Sequence, residues 1–244
     1  MSGDGGDESR AADGERSSAE TSPADVEAPH ETYDRIAEHF SSTREYPWPE
    51  VEAFLDDHAA AAAERVGGPA AAPVRGLDVG CGNGRHAEAM AAFVDRVVAL
   101  DASRGLLAEA GIRAEDRGFA VELVQGDAAS LPLADDCVAV AAYVATLHHL
   151  RPREARVTSL SELARVLAPG GRALISAWSV EHDRFDEEVG FDTTVDWTLP
   201  GGERVPRYYH VYDAAEFAAD LEESALSVVD SFVSSGNCYA VVES

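Results

Sequence analysis

A doubly wound, mostly parallel α/β sheet is the fold this chain predicts, on three observations. Short apolar runs alternate with helical ones between Val74 and Ala177, the rhythm of strand–helix–strand units. The first run ends in a glycine loop, Gly80-Cys81-Gly82-Asn83-Gly84. The runs that follow end in Asp101 and Asp127, and open α/β sheets bind ligands outside the carboxyl ends of their strands. Two late apolar runs, 226–233 and 238–242, flank Gly236-Asn237 and predict a closing antiparallel hairpin, which brings the sheet to seven strands.

In chain order, residues 1–29 carry eight acids and two Arg, and Val26 is their only large aliphatic after Met1. Such a segment buries too little surface to offset its ordering entropy, so a disordered acidic tail is expected, followed by one domain over 30–244. A short helix fits 33–40. Pro47 and Pro49 keep Thr43-Arg44-Glu45-Tyr46-Pro47-Trp48-Pro49 out of helix, and Pro49 suits the first position of the next one. There Val51, Phe54, Leu55, His58 and Ala62 recur at helical spacing until Gly67-Gly68. Strand one is 74–79, with a helix at 85–93. Strand two is 96–100, followed by a helix at 103–117 capped by Ser103. Strand three is 119–124 and strand four 137–144. Helix 152–167 carries Val157, Leu160, Leu163, Ala164 and Leu167 on one face, and Pro169-Gly170-Gly171 break it before strand five at 172–177. A charged stretch, 180–207, interrupts the rhythm, and a last helix fits 213–223.

Composition sets limits. The chain has 244 residues and a formal charge of −26, from 45 acids against 19 cations, and every cation is Arg. Abundant acid without Lys resembles the composition of halophilic archaeal proteins, where high salt screens self-repulsion to about 3 Å at 1 M. No apolar window reaches membrane-span length and the start resembles no secretory signal, so a cytoplasmic protein is expected. Cys81, Cys137 and Cys238 have no CxxC spacing, which argues against a disulfide framework and against a metal site.

The glycine loop reads GxGxG, with Arg85 where a dinucleotide fingerprint has its last glycine, so a pyrophosphate reading is weakened. Asp101 stands about 20 residues past the loop, where a carboxylate can accept both hydroxyls of a ribose. Asp127 stands where it can accept an adenine amine. Loop, acid, acid, then Pro169-Gly170-Gly171 before strand five resemble, in that order, the class I S-adenosylmethionine-dependent methyltransferases, a Rossmann-like family. The resemblance implies that the loop holds the methionine portion of S-adenosylmethionine, the strand-two acid the ribose and the strand-three acid the adenine. The implied cofactor contacts are Asp78, Gly80, Gly82, Asn83, Gly84, Asp101, Asp127 and Ala128.

Segments outside this half are more selective. Residues 33–40, the Thr43-Arg44 to Pro49 stretch, His148-His149-Leu150, Tyr208-Tyr209-His210-Val211-Tyr212 and Gly236-Asn237 resemble the tRNA wobble-uridine carboxymethyl methyltransferases. That family esterifies 5-carboxymethyluridine in the anticodon loop of tRNA. Cys238 departs from it where an aromatic is expected, and the family's Lys-rich surface is absent. Esterifying a carboxylate needs no general base, because the nucleophile is already ionised at neutral pH. Placement and desolvation are what the site must supply. Arg44 is the candidate fork for the carboxylate. One of His148 and His149 is a candidate hydrogen-bond partner for carboxylate or uracil, the other being structural. Tyr208, Tyr209 and Trp48 are candidates for stacking on an unpaired base, with core packing as their alternative. Arg151, Arg153, Arg156, Arg204 and Arg207 lie near the presumed mouth, where local cations can meet phosphates. The resemblance also implies a small zinc-binding activator protein along the edge of strand three, where Phe119, Val121 and Leu123 alternate. Two other readings stay open: a methyltransferase of a small metabolic acid or quinone, and a non-catalytic cofactor-binding scaffold.

Overall fold

The computed structural model describes residues 22–66 and 73–244. Helix α1 (Pro29–Ser42) opens on a proline at its first turn. Trp48 leads into α2 (Pro49–Phe54), which runs through a π-helical turn at Leu55–Ala59 into α3 (Ala60–Val66). The helix predicted here is therefore one amphipathic stretch with a π turn in the middle, and its predicted stop at Gly67-Gly68 lies outside the described residues. Then follow β1 (Arg75–Val79), α4 (Arg85–Met90), β2 (Arg96–Asp101), α5 (Arg104–Arg117), β3 (Glu122–Gln125), β4 (Val138–Val144), α6 (Arg153–Val166) and β5 (Leu167–Trp178). The chain closes with β6 (Phe191–Thr198), β7 (Arg204–Val211), α7 (Ala214–Glu223), β8 (Ser227–Ser234) and β9 (Asn237–Glu243). The Ser103 cap is realised: its hydroxyl accepts the Leu106 amide at 3.1 Å, and Gly118 ends the same helix at φ +73°.

The main sheet has seven strands in the order β3-β2-β1-β4-β5-β9-β8. The first five pair in parallel, while β9 runs antiparallel to β5 and β8 antiparallel to β9. Strand β4 is buried along its whole length, as a strand covered on both faces must be. Its Tyr143 packs with Leu160 and Leu163 of α6, and its Val140, Ala142 and Val144 pack with Val51, Phe54 and Leu55. The strand order reverses at β1, between β2 and β4, and this opens a crevice at their carboxyl ends.

Four expectations change. Pro169-Gly170-Gly171 do not separate helix from strand; they lie inside β5, at a register shift between the pairs Val138–Leu167 and Val140–Arg172. Strand β3 starts at Glu122, because Phe119 and Val121 pack, partly buried, against the core before pairing begins, and Leu123 is left exposed on the edge. The charged stretch is not irregular: β6 and β7 form a separate two-stranded antiparallel sheet. Finally, order begins before residue 30. Val26 is buried, and the Arg151 guanidinium donates to the carbonyls of Pro23 and Val26. The rest of the predicted tail, 1–21, lies outside the described residues.

Candidate functional site

A pocket open to solvent occupies the crevice, with about 890 Å³ of space that includes its mouth. Its walls come from the glycine loop (Gly80, Cys81, Gly82, Asn83), the ends of β2 (Leu100, Asp101) and β4 (Val144), and from Asp127, Ala128 and His149. Helix α1 closes one side with Pro29, His30, Tyr33 and Phe40.

The loop is shaped by three left-handed glycines, Gly80, Gly82 and Gly84, at φ +70°, +55° and +78°. A Cβ on Gly80 would fall 2.1 Å from the Thr146 hydroxyl, so only glycine lets the loop pass beneath β4. Asp101 holds this shape: Oδ2 accepts the Gly82 amide and Oδ1 the Ser103 amide, both at 2.9 Å. Burial raises its carboxyl pKa against the pull of those amides. Asn83 ties the loop to the end of α1, its amide nitrogen donating to the Arg44 carbonyl at 2.8 Å. Asp127 is exposed on the wall, one oxygen accepting the Ala129 amide. Asp78 and Gly84 do not reach the wall. Asp78 sits below the loop, fully buried, and burial lifts its pKa to about 7 against the pull of the Ala87 amide.

The two histidines separate cleanly. His148 is buried off the cavity, and its Nδ1 accepts the Trp178 amide at 3.0 Å. His149 lines the cavity. The Tyr208 carbonyl can only accept, so His149 Nδ1 donates to it at 2.9 Å, and Nε2 is left to accept the Tyr33 hydroxyl at 2.9 Å. Burial lowers the His149 pKa to about 3, so the ring is neutral. The structural member of the pair is His148.

Arg44 is half-buried beside the loop. Its guanidinium lies 5.1 Å from the Phe40 ring centre and 5.5 Å from that of Trp197, with no carboxylate in ion-pair range among the described residues. Tyr208 and Tyr209 do not present free faces. Tyr208 donates to Asp192 at 2.8 Å beneath the Arg151 guanidinium, and Tyr209 stacks on Trp178 at 4.4 Å. Both are buried at about the level of core residues, so core packing, their alternative reading, describes this geometry. Trp48 is partly buried between His86 and Tyr239, with Arg85 over its ring at 5.6 Å. Of the mouth arginines, Arg153, Arg156 and Arg204 are ion-paired to acids.

Sequence reasoning missed Trp197, and missed Tyr33 as a wall residue. The signal for Trp197 was present. Phe191, Thr193, Val195 and Trp197 alternate with Asp192, Thr194, Asp196 and Thr198, a two-residue period hidden by its acids. With β7 the inward face also gains Val205, Arg207, Tyr209 and Val211.

The cavity suits S-adenosylmethionine on its own chemistry: a glycine cradle that a Cβ on Gly80 would break, a carboxylate at the end of β2, and the Arg85 guanidinium on its wall. Residues 77–175 match the family model described as a methyltransferase domain. A tRNA (carboxymethyluridine(34)-5-O)-methyltransferase of Arabidopsis thaliana is 34% identical over 154 residues, which is 63% of this chain and 33% of that protein. The chain thus spans about a third of that relative's length. A putative methyltransferase of Encephalitozoon cuniculi is 30% identical over 220 residues, covering 88% of this chain and 94% of its own. Among solved structures, an S-adenosylmethionine-dependent methyltransferase from Clostridium acetobutylicum superposes with a TM-score of 0.63 over 86% of this chain and 98% of that one, at 12% identity, and so shares its fold.

Proposed function

This chain belongs to the S-adenosylmethionine-dependent methyltransferases, and from that premise we propose that it methyl-esterifies a 5-carboxymethyluridine-type wobble nucleotide of tRNA. The observation that carries the reading is Arg44, a half-buried guanidinium beside the cofactor cavity with no acid partner among the described residues. The Arabidopsis relative, a tRNA (carboxymethyluridine(34)-5-O)-methyltransferase, supports it.

When bound, S-adenosylmethionine supplies an electrophilic methyl group on a sulfonium. The chain's own residues place the other reactant. Gly80, Gly82 and Asn83 would hold the methionine portion, Asp101 the ribose and Asp127 with Ala128 the adenine, which would leave the methyl donor on the side of Arg44 and His149. Arg44 would orient an incoming carboxylate with two parallel N–H groups. His149 is neutral and its Nε2 is occupied by Tyr33, so it serves as a wall and takes up no proton. That suits a nucleophile ionised before it arrives. Trp197 and Phe40 offer apolar surface for the uracil beside the guanidinium. The reading carries with it a cytoplasmic, salt-rich setting. It also carries a small zinc-binding activator protein along β3, where Leu123 and nearby Ile112 are exposed.

The test is mass spectrometry of tRNA nucleosides from a deletion strain. The free acid should accumulate and the methyl ester disappear; an unchanged nucleoside profile defeats the proposal.

A further inference from the structure

One buried cation is left over by this account. Arg207 of β7 is 7% exposed, has no carboxylate in ion-pair range among the described residues, and its Nε has no hydrogen-bond partner. Burying a guanidinium is costly unless it is paired. Arg156, equally buried, follows the rule, with Glu216 at 3.2 Å and Asp220 at 3.5 Å. Arg207 instead faces rings: Trp197 at 5.0 Å, Tyr209 at 5.1 Å and Tyr33 at 6.0 Å, with one N–H donated to the Tyr33 hydroxyl at 3.3 Å. Cation–π contacts offset part of the desolvation and leave the charge uncompensated.

Trp197 brings a second guanidinium into the same place. Arg44 lies 5.5 Å from the indole that Arg207 approaches at 5.0 Å. The indole is itself fixed, its Nε1 donating to His39 Nδ1 at 3.1 Å. Tyr33 is pinned between Arg207 and His149, and both Tyr33 and Phe40 line the cofactor cavity. Two cations thus contact one ring, and neither has an acid partner among the described residues.

We infer that Arg207 and Arg44 form a two-armed seat for the substrate carboxylate, with Trp197 as its floor, and that Arg207 is the residue that selects an acid over its neutral amide. The inference rests on the esterification reading and deepens it. A carboxylate neutralises both arms, whereas a carboxamide leaves a buried charge unanswered. Sites built to pair a buried polar group reject analogues that leave it unpaired.

The test uses the full chain loaded with S-adenosylhomocysteine and two anticodon stem-loops, one bearing 5-carboxymethyluridine and one its carbamoylmethyl analogue. The wild type should bind the acid at least about tenfold tighter, the scale of one lost charge-assisted pairing. Arg207→Met should bring that ratio to within about threefold with cofactor affinity unchanged, and Arg207→Lys should restore part of it. Should Arg207→Met fail to fold, the half-exposed Arg44→Met should show the same loss of preference. Equal weakening of both RNAs would mark Arg207 as a structural residue and overturn the inference, as would an unchanged ratio. Acetate, titrated against the loaded enzyme and followed by tryptophan fluorescence, separates the two proposals. Saturation by acetate that Arg207→Met abolishes, without preference for the acid RNA, keeps the seat and rejects the nucleotide. No saturable response, together with no acid preference, overturns the seat.

Discussion

Replacing Asp78 by Asn should make the cofactor-free protein more stable at neutral pH and remove a pH dependence from its unfolding. Asp78 is fully buried under the glycine loop, and burial together with the nearby like charge of Asp101 outweighs the pull of the Ala87 amide and the Arg85 guanidinium. Burial raises its pKa from 3.8 to about 7. In the unfolded chain the carboxyl loses its proton near pH 4, while in the folded protein it keeps it to about pH 7. Between those values the folded state holds the extra proton, so stability falls as pH rises across the window, and the loss is complete above it. About three pH units at 1.36 kcal/mol each give about 4 kcal/mol as the scale of the effect. Asn keeps the shape and cannot ionise. Urea unfolding of both proteins from pH 4.5 to 8.5, at one fixed molar salt concentration, isolates this group, since every other acid is common to the pair. The variant should gain on the wild type steadily up to about pH 7 and then run parallel to it. Parallel curves throughout, or a wild type that gains on the variant with rising pH, would refute the reasoning.

Two further outcomes follow from the site. Asp101→Ala removes the acceptor for the Gly82 and Ser103 amides as well as the proposed ribose contact, so S-adenosylmethionine affinity by calorimetry should fall about 10- to 100-fold, roughly 1.4–2.8 kcal/mol; wild-type affinity would contradict the assignment. His149, with its pKa lowered to about 3, stays neutral above about pH 4, so kcat/KM should show no inflection near pH 6.5. An inflection that His149→Gln abolishes would show that the ring titrates during catalysis.

The cofactor half was legible because its signals are local. Gly80 needs a left-handed backbone, Ser103 caps a helix, and Asp101 ends a strand, and each is visible within a few residues. The substrate half was not, because its signals are split. Trp197 and Arg207 meet only when β6 folds onto β7, and the acids on the outer face of β6 disguise its alternation as a charged loop. Tyr208 and Tyr209 suggested stacking platforms by residue type, but both sides of their strand are covered. Phe119 and Val121 had strand-like alternation and were taken instead by core packing, which shortened β3. His148 and His149 are adjacent in sequence, and only the tertiary contacts of Trp178 and Tyr33 tell them apart.

The β6–β7 hairpin pairs with no strand of the main sheet; the nearest link is an isolated bridge between Ser179 and Tyr212, just past its end. It touches the rest of the site through two side chains, Trp197 on His39 and Arg207 on Tyr33, and through the backbone carbonyl of Tyr208 on His149. The matched methyltransferase model, at 77–175, ends before the hairpin starts. On the reading proposed above, specificity would thus be mounted on a part outside the matched domain. On that reading, sequence change along this ribbon would retune what is methylated while the parallel ladder of the main sheet stays as it is, and a different hairpin grafted between Trp178 and Asp213, with the contacts to Tyr33 and His149 kept, should change the acceptor.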